Sequence, residues 1–458
     1  PATQEVFESV PAATQEDVER ALQLAEEGFH TWKRVPLYEK IKIFERYAEL
    51  ITEHGEEYAI LACKETGKTI GSNRYTPLAI AQLFRFYAEK ARNLGGESFV
   101  FNSEPAMEND IAFTIREPIG VAVSIIPFNY PGELFAHKVA PALIMGNSVI
   151  IKPPSDAPLA VMLATELLVK AGVPENAVHC VTGGGAEVGK WLSSSPITKI
   201  ISITGSSAAG AEISKNAAPN LAHVHLELGG NDAMIICEDC DLDLAVEEAA
   251  VGRCSNSGQT CCAPKRFFVQ NSIRSLFTDK LIAYLSENIK TGDPFDESTF
   301  YGPLISEKAA MDVEKQIELT VSQGAKLLCG GKRYDHTFMD PIVLADVTPD
   351  MDIAVNMEVF GPVFPIIGFD TLDEAITLAN RCANGLQGGI MTKDMKKAMR
   401  AATEMECGTV VINGSPNYRF DHQPFGGHKR SGHGSEGVSH TLEQFSVLKT
   451  ISMKKVLK

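Results

Sequence analysis

No stretch of the 458-residue chain has the ~18 or more unbroken apolar residues of a membrane-crossing helix, although 44% of its residues are hydrophobic. No membrane partner is expected. Positive charge is short as well: 42 Lys and Arg face 58 Asp and Glu, a formal net charge of −16. That acid excess is spread along the chain, which opposes any binding mode that neutralises many phosphates, so no nucleic acid is expected. A local basic pocket is still allowed. There is no positively charged start followed by an apolar secretory stretch, no low-complexity linker and no internal repeat. Ten irregularly spaced cysteines in such a chain predict reduced thiols in a cytoplasmic protein. Cys237-Glu-Asp-Cys240 lacks a second pair at ligand spacing, so no metal is expected. The chain opens at Pro1 rather than Met, and a few native residues are expected to precede it.

Length is a prior of roughly three domain-sized units of about 150 residues each. From Thr14 to Lys33 a Thr–Asp capping pattern precedes a stripe of Val18, Ala21, Leu22, Ala25 and Phe29, which predicts an amphipathic helix. Helical patterns follow over 37–66 and 77–94. Between 119 and 217, short apolar strands alternate with helices: IGVAVSII, SVIIKPPSD, AVHCVTGG and KIISITGSS each end in a Gly-, Pro- or Ser-bearing turn. This alternation predicts an α/β fold with a parallel sheet covered on both faces. Ligands on such sheets bind beyond the carboxyl ends of the strands, where these turns lie. Helix N-termini there suit an anion. The GxGxxG fingerprint is missing, and GGGAEVG at 183–189 only approximates it. A second alternating block runs from Gly230 to about 412. Two strand-like segments, 106–118 and 445–455, stand outside both blocks and suit an edge or another chain.

Seven motifs follow in chain order: PFNYP (127–131), IIKPPS (150–155), ITGSS (203–207), LELGGND (226–232), CSNSGQTCCAPKR (254–266), MEVFGP (357–362) and PFGGHKRSG (424–432). Together they make the chain closely resemble the NAD(P)-dependent aldehyde dehydrogenases over essentially its whole length. The resemblance implies a Rossmann-like cofactor domain at 1–105 and 119–229, an α/β catalytic domain at 230–432, and a small β oligomerisation element at 106–118 and 433–458. A homodimer or homotetramer is implied with it.

Cys261 stands at the position of the family's nucleophile. A thiolate adds to an aldehyde to give a thiohemiacetal, and the thioester left by hydride departure is opened by water. A free thiol has pKa about 8.5, so this needs a positive or amide-rich surrounding. Cys262 is then a structural neighbour, or the second member of a pair that oxidises reversibly. Glu227 precedes Cys261 by 261 − 227 = 34 residues, the family's spacing for its general base. Apolar Leu226 and Leu228 flank it, and partial burial would raise its pKa toward working pH. Asn129 matches the residue whose amide, with the Cys261 N–H, steadies the tetrahedral oxygen. Its other reading is turn chemistry before Tyr130-Pro131.

For the cofactor, the resemblance implies Pro127 and Phe128, Lys152 and Ser155, Gly185 and Gly189, Gly205 and Ser206 at the pyrophosphate turn, Glu358 on a ribose, and Phe360 against the ring. NAD-preferring members commonly carry Glu at position 155. Ser155 removes a charge that would repel a 2′-phosphate and offers it a hydroxyl, which favours NADP over NAD. The rival reading is that Ser155 caps the next helix.

At the substrate end Arg419 and His422 precede the PFGG motif, with Arg74 in the turn-like SNRYTP and His137 after PFNYP as further cationic candidates. A basic residue there implies a small anionic aldehyde: succinate semialdehyde, lactaldehyde, or a phosphorylated or sulfonated three-carbon aldehyde. The plain alternative for these four is ordinary ion pairing. A CoA-acylating enzyme and a catalytically silent relative complete the alternatives; Glu227 opposes the first, and the full residue set the second.

Overall fold

Thr14 opens the first helix as its pattern predicts. In α1 (Gln15–Trp32) the Thr14 hydroxyl accepts from the Asp17 N–H while the Asp17 carboxylate accepts from the Thr14 N–H. The buried stripe is Val18, Leu22, Ala25, Gly28 and Trp32, so Phe29 falls beside it. Residues 37–66 form two helices, α2 (Leu37–Glu53) and α3 (Gly55–Thr66), broken at His54. The next helix, α4 (Ile70–Arg92), begins ahead of the expected 77 and runs through Pro77. Arg74 is therefore helical, which corrects the turn reading of SNRYTP. Asn73, Thr76, Pro77 and Ile80 are buried, and their packing outweighs the ~3 kcal/mol an interior proline costs.

The computed structural model describes residues 1–99 and 104–457. Positions 100–103 of the first segment expected for the cofactor domain, and Lys458, lie outside the described residues.

Strand β1 (Ile111–Pro118) pairs antiparallel over its whole length with Ser446–Met453, making a ribbon separate from the main sheets. The two segments read as standing outside the alternating blocks thus pair with each other. The first main sheet holds β2 (Val121–Ile125), β3 (Ser148–Lys152), β4 (Val178–Cys180), β5 (Thr198–Thr204) and β6 (His223–Glu227). Their order is β6-β5-β2-β3-β4, all parallel, and Gly432–His433 adds antiparallel to β6. Helices α5 (Pro131–Ile144), α6 (Leu159–Ala171), α7 (Gly185–Ser194) and α8 (Ser207–Ala217) make the crossovers. One face packs on α2, α4, α5 and α6 through residues such as Phe44, Phe84 and Phe135. The other packs on α1, α7 and α8 through Val18, Val188, Leu192 and Ile213. Both faces are covered, which is why β2 and β3 carry consecutive apolar residues (Val121–Val123 and Val149–Ile151) rather than alternating ones.

The second sheet starts with β7 (Asp232–Ile236), continues through α9 (Leu242–Cys254) to β8 (Pro264–Gln270), and has seven strands. Thr409–Ile412, Gln387–Met391, β7, β8, Val363–Phe369 and Ile342–Val347 run parallel, and Lys326–Cys329 closes the edge antiparallel. The sheets join across residues 228–231, between the end of β6 and the start of β7. Among the described residues no helix is long and apolar enough to cross a membrane.

Candidate functional site

The loop that carries Cys261 is held in a conformation that its sequence alone would not favour. After α9, Asn256 (φ 50°), Ser257 (φ 60°) and Gly258 (φ 76°) are all left-handed. A non-glycine residue pays for that conformation, so the surroundings must hold it. They do so from three sides. Asn256 Nδ2 donates to the Asn129 carbonyl at 2.9 Å, Ser257 Oγ donates to the Gly302 carbonyl at 2.9 Å, and the Ile305 N–H donates to Gln259 Oε1 at 2.9 Å. A Cβ on Gly258 would collide with the Gly361 carbonyl, so glycine lets this loop rest on MEVFGP. Three motifs far apart in the chain thus meet at Cys261.

Asn129 is buried and its Nδ2 donates to the Gln259 carbonyl at 3.0 Å, which leaves its second amide hydrogen uncommitted. Cys261 is partly exposed and packs with buried Cys262, Leu386 and Phe425. The Cys262 thiol beside it, together with burial, pushes the Cys261 thiol well above the ordinary range, and Lys265 opposes them. Lys265 was not singled out by sequence. It is buried, and its Nζ donates to the carbonyls of Cys261 (2.5 Å) and Thr260 (3.0 Å) while standing 3.5 Å from Glu358 Oε1. The signal was available: two cations in PKRFFV begin a buried strand, and buried cations need partners.

Glu227 ends β6, fully enclosed. Burial, with the Glu436 carboxylate nearby, pushes its carboxyl well above the usual carboxylate range. Its Oε1 lies 3.2 Å from His225 Nε2, and its Oε2 has no hydrogen-bond partner among the described residues. Next to it lies a second group that sequence reading missed, the buried ion pair of Lys138 and Glu436 at 2.5 Å.

The remaining candidates occupy the strand ends. At the end of β3, Lys152 Nζ donates to the Pro153 carbonyl (2.8 Å) and Ser155 Oγ (3.0 Å), and the Ser155 hydroxyl donates to the Gly183 carbonyl (3.1 Å). Ser155 therefore does not cap α6, which removes that alternative; Glu65 accepts from the Leu159 and Ala160 N–H groups instead. Gly185 opens α7 with open space where a Cβ would be, and Gly189 lies one turn on, against Ile213. Gly205 donates to the Glu227 carbonyl, and Ser206 caps α8 by accepting from the Ala209 N–H. Gly229 borders Glu358 so closely that a Cβ would strike its carboxylate. Phe128, after partly buried Pro127, meets Phe360 edge-on at 6.1 Å. These open helix N-termini, a buried cation and a part-exposed carboxylate lie beyond the carboxyl ends of the strands, and they fit a dinucleotide.

Of the four cationic candidates the structure joins two. Arg419 lies over the Phe425 ring at 4.2 Å, is 19% exposed, touches Glu436 only at 3.5 Å and lies 3.2 Å from His137 Nε2. His137 is corrected as a cation. Burial, then the Arg419 charge, push it down to about 3, so it is a neutral acceptor for Arg419, with Tyr87 at 3.0 Å on its other nitrogen. His422 is exposed, with its ring 4.4 Å from that of Phe86. Arg74 pairs on the surface with Glu56 and Glu297, both at 2.8 Å. It lies about 18 Å along α4 from Phe86, the residue that meets His422, so the cationic cluster does not include Arg74. Among the described residues no group of three or more His, Cys, Asp or Glu is placed to hold a metal.

Comparison with known proteins agrees over the whole chain. Residues 1–451 match the model of the aldehyde dehydrogenase family. The 3-sulfolactaldehyde dehydrogenase of Priestia aryabhattai is 37% identical over 444 residues, 97% of this chain and 92% of that protein. The lactaldehyde dehydrogenase of Methanococcus aeolicus is 35% identical over 455 residues, covering 98% and 95%. Among solved structures, glyceraldehyde-3-phosphate dehydrogenase of Methanocaldococcus jannaschii complexed with NADP superposes with TM-score 0.94 at 34% identity, covering 99% of this chain and 98% of that one. Betaine aldehyde dehydrogenase of Staphylococcus aureus with NAD+ gives 0.95 at 36%, covering 99% and 91%.

Proposed function

The chain belongs to the aldehyde dehydrogenase family, and on that premise we propose that it oxidises a small aldehyde bearing an anionic group to the carboxylic acid, with NADP preferred over NAD. It is an oxidoreductase that uses a nicotinamide cofactor. Relatives named for sulfolactaldehyde, lactaldehyde and glyceraldehyde 3-phosphate support a short polar substrate. One observation carries the anionic part: Arg419 stacks on Phe425, the ring that packs against the thiol pair, and keeps only long contacts to Glu436. An incoming sulfonate, phosphate or carboxylate would gain a guanidinium that is not fully spent.

In this reading Cys261 adds to the aldehyde carbon, and Asn129 and the Cys261 N–H steady the oxygen. A nicotinamide cofactor held beside the thiol by Glu358 and Phe360 would supply the hydride acceptor. Glu227 then takes a proton from the water that opens the thioester, at the oxygen left without a partner. Both Cys261 and Glu227 are held above their usual ranges and both work deprotonated, so turnover should climb as pH rises past neutrality.

Lys152, Ser155 and the turns at Gly185, Gly189, Gly205 and Ser206 would hold the cofactor on a domain of residues 1–105 and 119–229, with Glu358 and Phe360 reaching it from the other domain. Residues 230–432 form the catalytic domain in this assignment. The ribbon of β1 and Ser446–Met453 would pair with other copies in a cytoplasmic homodimer or homotetramer. It carries outward Ile115, Val447, Leu448 and Met453, an apolar edge of the kind that seeks cover. A panel of neutral, carboxylated, phosphorylated and sulfonated short aldehydes against both cofactors, with and without CoA, tests the proposal. Highest kcat/KM for an anionic aldehyde with NADP and no CoA is expected; a neutral aldehyde with NAD as the best pair would contradict it.

A further inference from the structure

Strand β6 carries a second titratable side chain on the face of its glutamate. His225 and Glu227 are two residues apart, so alternation puts them on one side of the sheet. The neighbouring strand adds a hydroxyl: Ser202 of β5 is the register partner of His225. Both ring nitrogens are engaged, Nε2 at 3.2 Å from Glu227 Oε1 and Nδ1 at 3.2 Å from Ser202 Oγ. All three residues are buried. The residue also borders a cavity of about 220 Å³ that His223, Glu443 and Gln444 line, and Gly434 lies so close to the ring that a Cβ there would strike it. The two hydrogen bonds decide which nitrogen carries the proton.

A working base must be ionised, and an ionised carboxylate facing Nε2 requires that nitrogen to carry the proton. Nδ1 must then accept, and the Ser202 hydroxyl is its donor. Burial keeps the ring neutral, pushing it down to about 3, so the proton on Nε2 belongs to a neutral tautomer. The same third-group logic fixes imidazole tautomers elsewhere.

We propose that His225 is a positioning residue for Glu227: locked in its Nε2–H form by Ser202, it donates to Oε1, stabilises the ionised carboxylate inside the protein, and leaves Oε2 free for the proton of the attacking water. This rests on Glu227 as the general base. Other charged or titratable groups act on the ring, namely Lys138 of α5, Glu436, and His433 of the adjoining strand, with His223 and Glu443 across the cavity. None of them occupies Oε1.

The test uses p-nitrophenyl acetate hydrolysis by the full chain without cofactor. The burst reports acylation of the thiol and the steady rate reports deacylation, each followed from pH 5.5 to 10. His225→Val should keep the burst and move the deacylation limb to higher pH by about 1–2 units, the equivalent of one hydrogen bond to a charged group. Ser202→Ala should move it the same way by less, and His225→Gln, which restores an N–H donor, should bring it back. A limb unmoved in folded His225→Val overturns the proposal. If that variant does not fold, an unmoved limb in Ser202→Ala does so. Glu227→Gln separates the two claims: if it keeps the wild-type steady rate, the base assignment fails. If it loses that rate while the His225 and Ser202 variants keep the wild-type limb, only the present proposal fails.

Discussion

Lys265 Nζ stands 3.5 Å from Glu358 Oε1 while donating to the carbonyls of Thr260 and Cys261. One buried ammonium thus joins the loop that carries the thiol to the carboxylate assigned to a ribose. Lys265→Met should weaken NADP binding and slow turnover together. A charge-assisted hydrogen bond is worth about 1.5–3 kcal/mol, which corresponds to about 10- to 100-fold. Fluorescence titration of NADPH beside steady-state kinetics checks this, and an unchanged Kd would show that Lys265 supports only the loop.

Ser155 bridges Lys152 and the Gly183 carbonyl, so it links two of the turns that would meet the adenosine end of a cofactor. Ser155→Glu places a carboxylate where a 2′-phosphate would sit. The ratio of kcat/KM for NADP over NAD should fall by at least about fivefold, since close like charges near a protein surface cost upward of about 1 kcal/mol. An unchanged ratio would mean that position 155 does not read the phosphate.

Arg419→Leu should raise KM for a sulfonated or carboxylated aldehyde by roughly 10- to 100-fold, the worth of a charged hydrogen bond. A neutral aldehyde of equal length should change far less. Equal losses on both would make Arg419 a packing residue on Phe425.

His137 and His225 are each pushed down to about 3, burial being the first cause. The unfolded chain protonates both near pH 6.5 and the folded one does not, so between about pH 6.5 and 3 stability falls as pH falls, by about 1.4 kcal/mol per unit for each. Glu436 acts in the same direction at lower pH. Although burial raises it, Lys138 and Arg419 hold it far below the carboxylate range, so its contribution is present above about pH 4.5 and lost below. Glu65, Glu227 and Asp232 act the other way, because burial raises each carboxyl and their contributions grow as pH falls toward the carboxylate range. Between about pH 6.5 and 4.5 the urea midpoint of His137→Gln should therefore fall less, or rise more, than that of the unaltered protein. Parallel profiles of the two proteins would contradict a buried neutral His137.

The parallel sheet and the strand-end site were legible because burial on both faces writes apolar runs, and because Gly and Ser mark the turns beyond them. Motif order pointed to the convergence of Asn129, Cys261 and Glu358, which the left-handed Asn256–Gly258 turn achieves. What stayed hidden depends on register and packing. Whether His137 is a charge or a neutral acceptor depends on Tyr87 and Arg419, the latter 282 residues away. Arg74 was misplaced because a proline inside a helix reads as a turn until the packing around it is known. The link from Ser202 to His225 needs the strand pairing, although the alternation in HVHLE already sets His225 and Glu227 on one face.

Cys261 and Cys262 are adjacent and pack together, so the central claim is most directly tested by locating the acyl group. Glu227→Gln protein is mixed with NADP and an anionic aldehyde, quenched in acid during the burst, digested, and the peptide holding both cysteines is fragmented by mass spectrometry. The account predicts one acyl mass, on Cys261. An acyl mass on Cys262, or a full burst of NADPH with neither cysteine modified, would contradict it.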